Sequence, residues 1–396
     1  MITLSEAMRS LDEFAAAKLS TLDQAKLRRS PVVTARAGIW VERDGRRLLS
    51  FSCNDYLNLG QHPKIIAAAV EALERYGIGA GASRLVTGNH PLYAALEERL
   101  ARLKGTDAAC VFGSGYLANT GIIPALVGPD DLIVVDELSH ACIHAGAKLS
   151  GAEIHRYRHA DAAHAEALLS EHRRAKGTSK RRALLATDGV FSMDGDLAPL
   201  RELSAVANRF DAWLLSDDAH GLGVVGGGRG STFADRNKAA VDVPLQMGTL
   251  SKAVGAYGGY LCASQPVIDL MRTRARTFIY STGLPPPVVA AAIAALDIIE
   301  TEPAYVEEPL RKARLFTRAL NLPEAQSAIV PVIVGDTDAA LAASEVLRDE
   351  GFLVVAIRPP TVPQGTARLR FAFTAQHPDA DIERLAEIVR MRVLRH

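Results

Sequence analysis

The sequence predicts an α/β protein with a mostly parallel central sheet and a smaller C-terminal α+β domain. Between about residues 60 and 265, short apolar segments alternate with amphipathic helical stretches. Because these segments are continuously apolar, they are typical of strands covered by helices on both faces. The 396 residues exceed the usual size of one domain. We expect an N-terminal arm at 1–55, a large domain at 56–300 and a small domain at 301–396.

The arm is predicted to begin with a helix and to continue as a β-hairpin. Helical periodicity runs from about Ser5 to Arg29 and stops before Pro31. The strand-like segments Gly38–Glu42 and Arg47–Ser52 follow, and Asp44-Gly45 between them is a hairpin-turn sequence.

The large domain is predicted from its apolar strands. These are Ala108–Phe112, Leu132–Val135, Glu153–Tyr157, Ala183–Thr187, Trp213–Ser216, Leu245–Gly248 and Gly259–Cys262. The helical stretches between them include Pro91–Leu103, Asp161–Arg174 and Leu200–Arg209. Right-handed crossovers place the carboxyl ends of parallel strands at one edge of a sheet, so we expect the functional site there.

The C-terminal part has a different order of elements. Two long helical patterns, Pro285–Thr301 and Pro303–Leu320, come first. They are followed by strand Ala328–Val334, helix Asp338–Glu350, strands Leu353–Ile357 and Ala367–Thr374, and helix Ala380–Leu394. Strands and helices of this kind, without strict alternation, favour a small α+β domain.

Composition argues against several classes of protein. The 45 Lys and Arg residues balance 45 Asp and Glu residues, so there is no basic excess for nucleic acid or an anionic membrane. The four cysteines are scattered, which favours core thiols over disulfides or a metal site: Cys53, Cys110, Cys142 and Cys262. The first residues lack a signal-peptide pattern, and the apolar run Pro285–Ile299 is too short for a membrane span. We expect a soluble cytoplasmic protein.

Two strand ends carry residues suited to chemistry. Leu214–Gly221 is an apolar strand that ends in Asp217-Asp218, followed by His220. Met247–Ala253 ends in Thr249, Ser251 and the single lysine Lys252. Pyridoxal 5′-phosphate (PLP) needs an amine for its aldehyde, a carboxylate for its pyridine nitrogen and hydroxyls for its phosphate. The amine could come from Lys252, the carboxylate from Asp217, and the hydroxyls from Thr249 and Ser251. His220 could form a hydrogen bond with the ring oxygen.

Each of these residues also has an ordinary structural interpretation. A lysine after a strand is usually solvated, and paired aspartates often cap helices. The Phe112–Tyr116 turn could cradle a phosphate at a helix start, and His140 could stack on the ring, but both could be simple turn residues. The combination favours PLP because every group lies at the carboxyl end of a strand of one predicted sheet.

One glycine-rich motif matches a pattern of dinucleotide-binding proteins instead. Gly221–Gly226 fits G-x-G-x-x-G, the dinucleotide-binding pattern, which must open a helix. Gly227, Gly228 and Gly230 follow and would break such a helix. We therefore interpret this segment as a loop beside the PLP site.

The motifs together resemble those of the α-oxoamine synthases, a branch of the fold-type-I PLP enzymes. The resemblance rests on Ser52–Leu57, Gly77–Gly81, Ser83–Leu85, Gly113–Asn119, Asp136–His140, Asp188–Gly195, Asp217–Gly221, Thr249–Lys252 and Ile279–Thr282. It implies the fold-type-I transferase fold, PLP as cofactor, a homodimer with shared active sites, and an amino acid and an acyl thioester as substrates.

Two stretches narrow the resemblance within that family. Gly189–Pro199 and Ala356–Arg370 are most similar to the branch that joins L-alanine to pimeloyl-CoA, or to pimeloyl-carrier protein, in biotin biosynthesis. Three alternatives stay open. They are a family member that uses glycine or serine with a different acyl-CoA, a fold-type-I aminotransferase, and a scaffold without activity.

The resemblance also implies roles for individual residues. Lys252, His140, Asp217 and His220 would be catalytic, with Lys252 holding PLP as a Schiff base. The implied cofactor contacts are Asp217 to the pyridine nitrogen, His220 and Ser192 to the ring oxygen, His140 on the ring face, Gly115, Tyr116 and Thr249 to the phosphate, and Ser281 and Thr282 to the phosphate in the neighbouring subunit. The implied substrate contacts are Asn54 and Arg370 to the amino-acid carboxylate, and Arg28 and Thr361 to the acyl group.

Overall fold

The computed structural model describes residues 4–175, 181–235 and 238–394. Its helices are α1 Leu4–Gln24, α2 Pro63–Tyr76, α3 Leu92–Lys104, α4 Gly115–Leu126, α5 Ala141–Ser150, α6 Ala162–Ala175, α7 Leu200–Arg209, α8 Gln265–Arg274, α9 Arg276–Ile279, α10 Pro286–Thr301, α11 Pro303–Ala319, α12 Thr337–Asp349 and α13 Asp379–Ile388. Its strands are β1 Ala35–Ala37, β2 Trp40–Arg43, β3 Arg46–Ser50, β4 Ala108–Phe112, β5 Leu132–Asp136, β6 Glu153–Tyr157, β7 Ala183–Asp188, β8 Trp213–Asp217, β9 Leu245–Thr249, β10 Gly259–Ala263, β11 Ile329–Gly335, β12 Phe352–Leu353, β13 Val355–Ile357 and β14 Ala367–Ala372.

The central sheet has seven strands in the order β4-β10-β9-β8-β7-β5-β6. Strand β10 runs antiparallel to both of its neighbours, and the other pairings are parallel. Alternate residues of β10 enter different cores, Tyr260 and Cys262 on one face and Leu261 and Ala263 on the other. The predicted mostly parallel sheet, buried on both faces, is confirmed.

The C-terminal strands differ from the prediction at one point. The predicted strand Leu353–Ile357 is divided, because β12 pairs in parallel with β3 while β13 pairs with β14. Val354 is fully buried where the chain passes from one sheet to the other. The arm hairpin therefore shares a four-stranded sheet with β12, and the remaining three strands form the order β11-β14-β13. The domain boundaries at 55 and 300 stay a prediction.

The N-terminal helix is shorter than its sequence pattern. Lys26 takes φ 55°, and the Leu27 N–H bonds to the Leu22 carbonyl, an arrangement that ends helices. In the hairpin, Asp44 and Gly45 both have positive φ, as the predicted turn requires. Within the described ranges, no helix combines the length and apolar character that crossing a membrane requires.

Candidate active site

A cavity of about 220 Å³ lies at the carboxyl ends of the central strands. Its walls include His140, Asp188, Asp217, Thr249 and Lys252. Each comes from the end of a strand or the turn after it, as the parallel topology predicts.

Lys252 lies three residues beyond β9, and its partly buried side chain lines this cavity. Its Nζ is 2.6 Å from Nε2 of His220. Burial lowers the pKa of Lys252 to about 8, against the opposing influence of the Asp217 and Asp188 carboxylates. A neutral amine is therefore accessible near neutral pH, which is what attack on an aldehyde or removal of a carbon-bound proton requires.

Asp217 ends β8 and accepts hydrogen bonds from two nitrogen donors, with the Cys142 thiol 3.9 Å from its Oδ2. Its Oδ2 accepts a hydrogen bond of 2.7 Å from Nδ2 of Asn119, and its Oδ1 accepts one of 3.0 Å from the Ala219 N–H. Asn119 is fully buried on α4, the helix that begins at Gly115. The same helix therefore supports the carboxylate and presents its N-terminus to the cavity.

His140 caps the N-terminus of α5. Its Nδ1 accepts from the Cys142 N–H at 3.3 Å and lies 2.8 Å from the Cys142 Sγ. Burial and the nearby Asp217 raise the pKa of Cys142, so the thiol keeps its proton and can donate. Burial, with the Lys252 charge, lowers the pKa of His140. The imidazole is then neutral, with its proton on Nε2.

Both ring nitrogens of His220 have a hydrogen-bond partner. Its Nε2 contacts Lys252, and its Nδ1 lies 2.6 Å from the hydroxyl of Tyr56, a fully buried side chain. Burial, followed by the charges of Lys252 and Arg370, holds the pKa of His220 well below its usual value. The ring is therefore neutral.

Arg370 lies in the middle of β14 and is 7% exposed. Its Nε donates to the Ser192 carbonyl, and one terminal nitrogen donates to Asn54 Oδ1 at 3.2 Å. Among the described residues, no carboxylate pairs with this guanidinium. The structure thus brings Asn54, Ser192 and Arg370 together and leaves a buried cation that could bind a carboxylate.

The part of the 220 Å³ cavity that Gly115 and Thr249 line suits a phosphate. Gly115 opens α4, and a Cβ there would lie 3.3 Å from the Met247 side chain and 3.5 Å from Thr249. The Thr249 hydroxyl donates to the Gly258 carbonyl at 2.7 Å and accepts from the Ser251 N–H. Tyr116, 53% exposed, forms part of the rim. A helix N-terminus with close backbone approach is a favourable place for an anion.

Two predicted cofactor contacts lie elsewhere in this chain. Ser281 and Thr282 do not line the cavity. Thr282 is exposed and forms an isolated bridge with Ser83. Their predicted role in a neighbouring subunit stays a prediction.

A second cavity, of about 730 Å³, shares His140 with the first. Ser192, Thr361 and Arg29 also line it, and an Arg29 terminal nitrogen donates to the Thr361 hydroxyl at 3.2 Å. Arg28, predicted for the acyl contact, instead pairs with Asp23 while half exposed. Neighbouring side chains of a non-helical segment point in different directions, so only one of the two arginines reaches this cavity.

The residues present fit PLP. The buried amine of Lys252, the carboxylate of Asp217 and the start of α4 at Gly115 surround one cavity, as the cofactor's aldehyde, ring nitrogen and phosphate require. The sequence analysis gave no role to Asn119, Cys142 or Tyr56. Asn119 was detectable, because it is a single amide within the apolar helix α4.

Comparisons with known proteins show the family of this chain. Residues 46–389 match the family model of class I and II aminotransferases. The chain is 61% identical over 383 residues to the 8-amino-7-oxononanoate synthase of Beijerinckia indica, covering 96% of this chain and 98% of that protein. It is 67% identical over 348 residues to the 8-amino-7-oxononanoate synthase of Methylocella silvestris, covering 88% and 97%.

Solved structures show the same fold. Serine palmitoyltransferase of S. paucimobilis, with a bound PLP-myriocin aldimine, superposes with a TM-score of 0.87 at 30% identity, covering 96% of both chains. The 8-amino-7-oxononanoate synthase of Francisella tularensis superposes with a TM-score of 0.73 at 25% identity, covering 86% of this chain and 96% of the other. With the PLP-compatible site and near-full-length identity above 60%, the chain belongs to the 8-amino-7-oxononanoate synthase family of PLP-dependent acyltransferases, within the class I and II aminotransferase fold.

Proposed function

We propose that this enzyme condenses L-alanine with a pimeloyl thioester, pimeloyl-CoA or pimeloyl-carrier protein, to give 8-amino-7-oxononanoate, CO2 and the free thiol in biotin biosynthesis. One observation carries the proposal. Lys252 Nζ contacts His220, the Arg370 guanidinium is linked to His220 through the Tyr56 hydroxyl, and the second cavity shares His140 with the first. That arrangement suits one small amino acid and one long acyl chain at the same reacting centre. The names of the relatives at 61–67% identity support it.

Bound PLP would supply an electron sink for the carbanion at the amino-acid α-carbon. Arg370 and Asn54 would bind the alanine carboxylate and orient the α-carbon. Lys252, with its lowered pKa, would remove the α-proton as general base. Asp217, held by Asn119 and the Ala219 N–H, would keep the pyridine nitrogen protonated.

Carbon–carbon bond formation would then involve His140. The α-carbon attacks the thioester carbonyl and the thiolate leaves. The Nε2–H of the neutral His140 ring, whose Nδ1 accepts from the Cys142 N–H, would donate to the oxygen that becomes negative during this attack. Cleavage of the bond to the carboxylate would release CO2, and the Lys252 ammonium would return a proton to the carbon.

We also propose a homodimer. The segments around Ser83 and Thr282 are joined by a backbone bridge and by the bond from the Gly283 N–H to the Ala82 carbonyl. They expose Ile78, Val86 and Tyr280, and such apolar surface is typical of an interface. Ser281 and Thr282 would then contact the phosphate in the neighbouring subunit.

The test is product analysis with purified enzyme, PLP, L-alanine and pimeloyl-CoA. We expect 8-amino-7-oxononanoate by mass spectrometry, with one thiol and one CO2 per product. Lys252→Ala should abolish turnover, and steady turnover by that variant would contradict the role of Lys252. Product only from glycine or serine with another acyl-CoA would keep the family and change the substrates. Transfer of the amino group to a keto acid, without thiol release, would instead show an aminotransferase.

A further inference from the structure

A line of hydrogen bonds crosses the site from Arg370 to Lys252. A terminal nitrogen of Arg370 lies 3.4 Å from the Tyr56 hydroxyl, that hydroxyl lies 2.6 Å from His220 Nδ1, and His220 Nε2 lies 2.6 Å from Lys252 Nζ. Tyr56 and His220 are both buried, so water does not compete for these contacts. The hydroxyl of Tyr56 is the link between the guanidinium and the imidazole.

The direction of these hydrogen bonds follows from the chemistry of each group. Arg370 can only donate, so the Tyr56 oxygen accepts from it. Burial raises the pKa of Tyr56, so its hydroxyl keeps a single proton. Two acceptors compete for that proton, and His220 Nδ1 at 2.6 Å is much closer than Asn54 Oδ1 at 3.3 Å. With the Tyr56 proton directed at Nδ1, the imidazole proton sits on Nε2, which faces the neutral amine form of Lys252.

We propose that Tyr56 is a positioning residue that fixes the tautomer of His220, so that Nε2 presents a proton donor to the cavity and the carboxylate-binding Arg370 is coupled to Lys252. The part of the inference that concerns Arg370 rests on the proposed function. A donor at Nε2 makes Lys252 Nζ the acceptor, which favours the neutral amine. The same donor suits the ring oxygen of PLP.

Removal of the Tyr56 hydroxyl should favour the other tautomer of His220. In Tyr56→Phe, His220 can carry its proton on Nδ1 and offer the Nε2 lone pair to a protonated Lys252 nitrogen. That nitrogen should then keep its proton to a higher pH. The other charged or titratable groups that act on Lys252 stay in place: Asp217, Asp188, Arg370 and Cys142. Those that act on His220 also stay in place: Lys252, Arg370 and His140.

The experiment is a pH titration of the visible absorbance of bound PLP in the holoenzyme. In Tyr56→Phe we expect the midpoint to rise by about one pH unit and kcat/KM for L-alanine to fall about tenfold. Tyr93→Phe is the matched control, because Tyr93 is equally buried and its hydroxyl accepts from the Leu284 N–H outside the cavity. The absorbance midpoint of Tyr93→Phe should equal that of the wild type.

Two further proteins make the test decisive. In a His220→Asn background, Tyr56→Phe should cause no further shift, because the effect passes through His220. 3-Fluorotyrosine at position 56 donates more strongly and should move the midpoint to lower pH, a prediction that survives poor folding of Tyr56→Phe. Unchanged midpoints in both Tyr56 proteins would overturn the inference. Because the titration needs no acyl substrate, shifted midpoints would stand even if the wild type made no 8-amino-7-oxononanoate.

Discussion

The Lys104 ammonium lies 2.7 Å from the Asp218 carboxylate, and at most 1% of either side chain is exposed. Lys104 ends α3 and also donates to the Arg229 carbonyl. Asp218 follows Asp217 directly and accepts from the Ser231 N–H. The ion pair thus anchors both ends of the glycine-rich segment 221–230 beside the site. That segment opens no α-helix, which a dinucleotide-binding loop would need.

Lys104→Met should destabilise the protein strongly. It leaves the Asp218 carboxylate buried without its cation, at an expected cost of about 3–5 kcal/mol in the free energy of unfolding. Urea denaturation measures the loss. Lys64→Met is the control, since its pair with Glu302 is exposed and should contribute less than about 1 kcal/mol. Equal losses in the two variants would show that the buried pair has no special importance.

Asn119→Asp should impair catalysis while keeping the shape of the side chain. The change replaces the donor 2.7 Å from Asp217 with a second carboxylate. The repulsion raises the proton affinity of the pair, so Asp217 would lose the charge that PLP requires. We expect kcat to fall by about 10²-fold or more and PLP to bind more weakly, measured by steady-state kinetics and cofactor titration. The exposed Asn321, changed to Asp, provides the comparison and should behave as wild type.

The strand ends were predictable from the sequence, but contacts between distant segments were not. Each of the seven central strands lies within one residue of its predicted bounds. All except the edge strand β6, which is partly exposed, are almost completely buried, and such strands are predicted to be largely apolar runs. Lys252, Asp217 and His220 were found because they follow such runs. Asn119 and Tyr56 bond to partners 98 and 164 residues away, and no local pattern records that pairing. The division of residues 353–357 between two sheets could not be predicted from a local sequence pattern either.

Arg29→Ala should weaken acyl-substrate binding more than Arg28→Ala does. Arg29 reaches the 730 Å³ cavity and bonds to Thr361, whereas Arg28 pairs with Asp23 outside it. Loss of a charge-assisted contact corresponds to about 1.5–3 kcal/mol, so KM for pimeloyl-CoA should rise about 10- to 100-fold in Arg29→Ala. KM for L-alanine should change little in either variant. A larger effect of Arg28→Ala would favour the assignment made from the sequence.

His159 bridges two loops of the site and should make stability depend on pH. Its Nδ1 is 3.2 Å from Asp136, which precedes the His140 turn, and its Nε2 is 3.0 Å from Asp196, which follows the Ser192 loop. Burial alone would lower the pKa of His159, but these two carboxylates outweigh it and raise the pKa from 6.5 to about 10. The imidazolium therefore persists in the folded protein well above the pH at which it is lost in the unfolded chain.

A group with a raised pKa stabilises the fold fully below its unfolded pKa, near 6.5, and this contribution disappears as the pH rises through about 10. The difference in unfolding free energy between the wild type and His159→Gln should thus be large at pH 6 and shrink steadily towards pH 10. Urea denaturation at a series of pH values measures it. His155→Gln, which removes an exposed pair with Glu153, should give a small difference throughout. A wild-type advantage over His159→Gln that stayed constant to pH 10 would mean that the bridge does not depend on the imidazolium charge.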